Sequence, residues 1–209
     1  LFNAFMDTAP EKLLGMRRIL FGGEMVSLPH VKRGLEVLGN DRIIHVYGPT
    51  ETTTFATAYP INSIENGRTI PIGRPLANTR LYVLDAGGAL APMGVPGELL
   101  IGGDGVALGY INNPELTSEK FVVNPFGQQS DDRLYRTGDM VRWDQNGNIE
   151  FIGRTDNQVK IRGYRIEIGE IEAIIQQSNL LNQVVVVAND DPSGAKRLIA
   201  YLLKQDAPQ

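Results

Sequence analysis

His45-Val46-Tyr47-Gly48-Pro49-Thr50-Glu51-Thr52-Thr53-Thr54 joins an apolar strand to a turn that carries four hydroxyls and one carboxylate. Ile43, Ile44 and Val46 make the entry apolar, and Gly48-Pro49 ends it. Backbone amides, threonine hydroxyls and a carboxylate at a strand exit suit a phosphate and its Mg²⁺. A polar loop after a buried strand would have the same composition, so the neighbouring segments decide between the two.

Upstream, Ile19-Leu20-Phe21 reads as a short buried strand ending on Gly22-Gly23. A helix follows, with Ser27 as its cap, Pro29 in its first turn and Val31, Leu35 and Leu38 on one face. Gly39-Asn40 closes it before the strand Ile43 to Tyr47. Strand, helix, strand in this order predicts a parallel pair with a right-handed crossover. Both strand ends, Gly22-Gly23 and Gly48-Pro49, should then face one crevice, where open α/β sheets bind ligands. Residues 1–14 suggest a helix and then a loop after Pro10.

The pattern changes after Tyr59-Pro60. Short apolar strands at Arg80 to Asp85 and Gly97 to Gly103, with turns at Gly87-Gly88 and Pro92 to Pro96, predict a small barrel or a strongly twisted sheet. Asn113-Pro114-Glu115 opens a short helix. Leu134 to Asp139 leads into Val141-Arg142-Trp143, then a turn over 144–148 and a strand over 149–152. Beyond Asp156, a hairpin with its tip at Arg162-Gly163, a helix from Glu167 to Ser178 burying Ile171, Ile174 and Ile175, and strands at Val184 to Val187 and Leu198 to Leu203 form a compact α+β start. Asp190 to Gly194 joins those last strands, and a domain boundary is expected at Asp156.

A net charge of −4 over 209 residues argues against a nucleic-acid partner but leaves a nucleotide site open. With no cysteine there is no disulfide, thiolate metal site or cysteine nucleophile, and two histidines are too few for a histidine metal cluster. The longest strictly apolar run, Val184 to Ala188, is far short of the ~18 residues that suggest a membrane span. Both ends read as cuts through a longer polypeptide, with no initiator methionine and no signal-peptide pattern at the start.

Four motifs in order resemble the adenylate-forming (AMP-binding) superfamily, and within it the amino-acid adenylation domains of nonribosomal peptide synthetases. They are Tyr47-Gly48-Pro49-Thr50-Glu51-Thr52-Thr53, Gly97-Glu98-Leu99-Leu100-Ile101-Gly102-Gly103, Tyr135-Arg136-Thr137-Gly138-Asp139, and the run from Gly153 to Glu167. Pro114-Glu115-Leu116-Thr117 and Asn124-Pro125-Phe126 lie between them, and the likeness covers essentially the whole chain. It implies an α/β protein with part of the acyl-CoA synthetase-like fold. A parallel α/β portion (1–60) and a mainly β, barrel-like portion (61–155) would end the large adenylation subdomain. Residues 156–209 would begin the small C-terminal subdomain.

The implied activity is ATP-dependent formation of an aminoacyl-AMP, then transfer to a phosphopantetheine thiol on a carrier domain, in a cytoplasmic multimodular enzyme of antibiotic or other secondary-metabolite biosynthesis. The carrier and a condensation domain would be partners; no nucleic acid or membrane is involved. An acyl- or aryl-CoA ligase of the same superfamily and a non-catalytic docking module retaining the fold are the alternatives.

Site roles carry over residue by residue. Thr50 would donate to the α-phosphate and Glu51 would help hold Mg²⁺, these two being the catalytic candidates. Tyr47 would stack on adenine, His45 would lie by its amino edge, and Phe151 would line its slot; the family often has Asn where His45 stands. Asp139 would accept both ribose hydroxyls and Arg154 would reach the ribose-phosphate side. Gly22, Gly23, Val46 and Gly48 complete the nucleotide-binding set. Leu20, Gly22, Val46, Thr54 and Phe55 correspond to acyl-pocket positions; their uncharged wall disfavours Asp, Glu, Lys or Arg as substrate and suggests isoleucine or valine. Asp156 would be the hinge between the half-reactions, and the tip from Lys160 to Arg165 would approach the pantetheine tunnel. The family's phosphate loop and amino-group aspartate would lie upstream of residue 1 and its C-terminal lysine downstream of Gln209. The 209 residues alone are therefore expected to show no appreciable adenylation activity.

Overall fold

Phe2 and Met6, buried one helical turn apart, anchor the first helix, Phe2–Thr8 (α1). Pro10–Leu13, expected as a loop, is a 3₁₀ turn that buries Leu13. Ile19–Gly22 (β1), Leu28–Leu38 (α2) and Ile43–Tyr47 (β2) form the expected unit, with β1 and β2 parallel in the register Ile19↔Ile43 to Gly22↔Val46. Paired residues share a sheet face, so Ile19, Phe21, Ile43 and His45 point one way and Leu20, Gly22, Ile44 and Val46 the other. The first set packs with α1 and α2: Phe21 stacks on Phe2 at 4.4 Å, and Gly34 of α2 leaves room for Ile43.

The expectation of a buried β1 fails on its other face, where Leu20 is 51% exposed. Among the described residues β1 stands at the end of the sheet, with a partner strand on one side only. Ser27 sits at the N-cap of α2, but its hydroxyl meets His30 Nδ1 at 2.5 Å rather than a backbone amide. His30 holds the place a capping-box acid would take, and its Nε2 reaches Asp7 of α1 at 3.0 Å.

Thr57–Ile61 (β3), not anticipated as a strand, pairs antiparallel with β2, and Arg74–Pro75 (β4) follows it. The first sheet is therefore mixed, its parallel step confined to β1 and β2.

Thr79–Leu84 (β5), Gly97–Gly103 (β6), Phe121–Val123 (β7), Arg133–Trp143 (β8) and Ile149–Arg154 (β9) form an antiparallel five-stranded sheet. The helix Pro114–Lys120 (α3) precedes β7; it is capped by Asn113, whose side-chain oxygen accepts the Leu116 N–H at 3.0 Å. β8 is long enough to pair with β6 along one edge and with β7 and β9 at opposite ends of the other. The two sheets share a core in which Tyr47, Ala56 and Ile72 pack with Val83, Leu99, Ile101, Val141 and Ile149.

The computed structural model describes residues 1–65, 69–127, 132–161, 163–178, 181–190 and 196–204. Its chain divides into two compact units, Leu1–Thr155 and Asp156–Gln209. In the second, Val159–Ile161 (β10) and Tyr164–Ile166 (β11) form an antiparallel hairpin, followed by Ile168–Gln176 (α4) and the antiparallel pair Leu181–Asp190 (β12) and Lys196–Lys204 (β13). Ile168, Val184 and Val186 form its buried core, with Ile171 and Ile175 against it. Ile174, expected inside, is 61% exposed, because the buried stripe runs 168, 171, 175 and turns 174 off the packed face. Arg162 of the predicted tip and residues 191–194 of the predicted turn lie outside the described residues. No described helix is long and apolar enough to cross a membrane.

Candidate active site

Asp139 is aimed by a bulge. β8 pairs with β6 at Leu100↔Arg136 and again at Glu98↔Met140, so Thr137, Gly138 and Asp139 stand opposite the single residue Leu99. Gly138 takes φ +70, a value that suits glycine. The Thr137 hydroxyl donates to the Leu99 carbonyl at 2.7 Å and accepts the Asp139 N–H at 3.0 Å. Glu98 accepts the Gly138 N–H at 3.2 Å and pairs with Arg136 at 2.5 Å. Bulges of this kind re-aim a side chain beside a site.

The β8–β9 register then sets Arg154 directly across from Asp139, and their side chains meet at 2.5 Å. The hydroxyl of Tyr47, at the end of β2, donates to the other carboxylate oxygen of Asp139. Burial, and next the Asp139 charge, push the Tyr47 phenol well above its ordinary range, so it stays a donor. Asp139 is 6% exposed and engaged on both oxygens. Phe151, partly buried, packs against the core that holds Tyr47.

After Tyr47 the chain makes a closed loop. The Ala56 N–H donates to the Tyr47 carbonyl at 2.8 Å, and a Cβ on Gly48 would stand 2.6 Å from both Ala56 N and Thr54 O. Within the loop, Thr50–Thr52 is a 3₁₀ turn with Thr50 exposed and Glu51 buried. Thr53 and Thr54 both have positive φ, 60 and 67, uncommon for β-branched residues. Glu51 Oε1 accepts the Tyr110 hydroxyl at 2.7 Å, and the Glu51 carbonyl accepts the Ala107 N–H at 2.8 Å.

Leu20, Gly22 and Val46 lie on one face of the β1–β2 pair, and a Cβ at Gly22 would fall 1.9 Å from the Val46 carbonyl oxygen. Gly23 follows with φ +87. Leu20 and Phe55 expose apolar surface, at 51% and 43%, while Val46 is buried. His45 lies on the opposite face, 5% exposed, with Nδ1 2.8 Å from the Pro71 carbonyl and its ring 5.6 Å from that of Phe21. Burial lowers its pKa against the opposing pull of Pro71, so the ring is neutral with Nδ1–H donating. Asp156 begins the second unit, where its Oδ1 accepts the Gln158 N–H at 3.1 Å.

The family model described as "AMP-binding enzyme" matches residues 1–111, more than half of the chain. The chain belongs to the AMP-binding enzyme family. It is 51% identical over 203 residues to bacitracin synthase 1 of Bacillus licheniformis, covering 97% of this chain and 4% of that protein. It is 46% identical over 207 residues to tyrocidine synthase 3 of Brevibacillus parabrevis, covering 99% of this chain and 3% of that protein. Among solved structures it superposes on PA1221, an NRPS protein containing adenylation and PCP domains, with TM-score 0.84 and 34% identity over 98% of this chain and 41% of that one. The fold is therefore that of adenylation domains, and the chain spans less than half the length of PA1221 and only a few per cent of the two synthases.

In this chain Glu51 suits Mg²⁺ by its chemistry, since that ion takes one or two carboxylates beside substrate phosphates and waters. Among the described residues no group of three His, Asp or Glu side chains could cage a metal. Sequence reasoning passed over Thr137, Glu98 and Tyr110. The first two stood inside family motifs without a role, and Tyr110 gave no signal because its link to Glu51 spans 59 residues.

Proposed function

We propose that this chain supplies the nucleotide side of an amino-acid adenylation domain in nonribosomal peptide synthesis. In this reading ATP and an amino acid give an aminoacyl-AMP and pyrophosphate, and the acyl group then passes to a carrier domain's phosphopantetheine thiol. The observation that carries it is the constellation of Tyr47, Asp139 and Arg154 at the root of the loop bearing Thr50 and Glu51.

Asp139 accepts the ribose hydroxyls, a carboxylate being well matched to a cis-diol. Tyr47 and Phe151 flank adenine, with His45 near its amino edge. Gly23, with open space where a Cβ would stand, lets the ligand approach the backbone, while Gly22 and Gly48 allow the close packing of the strand end at Val46 and of the loop that complete the site. The exposed Thr50 hydroxyl donates to the α-phosphate, where charge builds in the transition state, and Arg154 adds its charge on the ribose-phosphate side. Glu51 holds Mg²⁺, which neutralises phosphate charge when bound. Leu20, Gly22, Val46, Thr54 and Phe55 form one wall of the acyl pocket; apolar and uncharged, it favours isoleucine or valine. Asp156, first residue of the second unit, acts as the hinge between the half-reactions, swinging the hairpin from Lys160 to Arg165 toward the pantetheine. A carrier domain and a condensation domain are the partners.

Exchange of labelled pyrophosphate into ATP by the full-length protein tests this across an amino-acid panel. Isoleucine or valine should drive exchange, with charged amino acids at background. Exchange driven by fatty or aryl acids, with none from amino acids, would refute the proposal.

A further inference from the structure

We infer that Tyr110 is a positioning residue for Glu51, held on a polar strap that sets the orientation of this carboxylate toward a metal–nucleotide ligand. The inference rests on the reading of Glu51 as the Mg²⁺ carboxylate. The strap, residues 105–110, meets the Glu51 turn at three points. Thr53 Oγ1 donates to the Gly105 carbonyl at 2.8 Å, the Ala107 N–H donates to the Glu51 carbonyl at 2.8 Å, and the Tyr110 hydroxyl donates to Glu51 Oε1 at 2.7 Å.

The strap is fixed from behind rather than by burial. Arg133 donates to the carbonyls of Leu108 and Ala107 at 2.8 and 3.2 Å, while Leu108 itself is 88% exposed. Thr117 Oγ1 accepts the Tyr110 N–H at 2.9 Å. Gly109, at φ +148, gives this close approach, because a Cβ there would lie 2.4 Å from Thr117 Cγ2. The Tyr110 ring meets Phe121 edge-on at 5.4 Å, which defines where its hydroxyl stands. A phenol fixed in this way removes one rotational freedom from a carboxylate that must meet its ligand in one geometry.

The test is calorimetric titration of the full-length protein with ATP across a Mg²⁺ series, for wild type, Tyr110→Phe, Glu51→Gln, the double variant and Tyr135→Phe. Tyr110→Phe keeps the ring against Phe121 and should raise the half-saturating Mg²⁺ about tenfold, the scale of one hydrogen bond to a charged group. ATP affinity without Mg²⁺ should not change. In the Glu51→Gln background the Tyr110 change should add nothing, and Tyr135→Phe, whose hydroxyl lies 3.4 Å from that of Tyr110, should leave the Mg²⁺ dependence near wild type. A Glu51→Gln shift without a Tyr110→Phe shift overturns the inference alone. Equal shifts from Tyr110→Phe and Tyr135→Phe overturn it in favour of general loosening. An unaltered Mg²⁺ dependence in Glu51→Gln overturns the metal reading and this inference with it. If Tyr110→Phe does not fold, Thr117→Val, which releases the strap at the Tyr110 amide, should give a smaller shift in the same direction; no shift overturns the inference.

Discussion

Replacing Tyr47 by Phe removes one hydroxyl and leaves the ring, so little cavity opens and the cost is chiefly that of the hydroxyl's bond to Asp139. That bond runs from a buried phenol to the carboxylate that also holds Arg154. Hydrogen bonds to charged groups contribute about 1.5–3 kcal/mol, so Tyr47→Phe should lose about 2 kcal/mol of stability at neutral pH. For a unit of this size that is a fall of about 4–8 °C in melting temperature. The pH dependence has a definite sign. The folded-state pKa of Tyr47 is raised, so its contribution is fully present below the unfolded phenol pKa of about 10 and is lost as pH rises through the folded value. Denaturant titrations at pH 7.5 and pH 10.5, followed by the fluorescence of Trp143, measure it; this single tryptophan ends β8, the strand that carries Asp139. The difference between wild type and variant should hold up to about pH 9 and narrow above pH 10. A difference below about 0.5 kcal/mol at pH 7.5, or one that widens with pH, would show that the phenol does not stabilise Asp139.

Gly48→Ala should cost about 1–3 kcal/mol and reduce ATP-induced thermal stabilisation, because its Cβ would stand 2.6 Å from Ala56 N and Thr54 O and force the loop open. An undiminished ATP shift would dissociate loop closure from binding. His45, buried and neutral, has a lowered folded-state pKa, so its contribution is full above its unfolded value of about 6.5 and is lost as pH falls from there toward the folded value. In melting curves between pH 7 and pH 5, His45→Asn should therefore flatten the decline; equal slopes in the two proteins would count against it.

The elements with strong local signals were legible in the sequence. The β1–α2–β2 unit, β6 from Gly97 to Gly103 and the Asn113 cap all come from periodicity and punctuation, which act over a few residues. β3 was not legible, since Pro60 argues against a strand and only pairing with β2 overrides it. Exposure was also misjudged at Leu20 and Ile174, because whether an apolar residue is covered depends on what else packs there. Resemblance names Tyr47, Asp139 and Arg154 as candidates one by one, but not the bond joining the first two, which spans 92 residues. The bulge at Thr137 to Asp139 lay inside a family motif, yet only the register of β8 against β6 shows three residues facing one.

The parallel register of β1 and β2 has a further consequence, for how such a chain can diversify. Alternation assigns Phe21 and His45 to the helix-packed face, and Leu20, Gly22 and Val46 to the opposite one. A change at Leu20 can therefore alter what that face offers a small molecule without disturbing the side chains that knit β1 to α1 and α2. Gly22 lacks this latitude, because any side chain there would strike the Val46 carbonyl. Under the proposed function this face is the acyl-pocket wall, and variation there is channelled to alternate positions, leaving the helix-packed side chains in place.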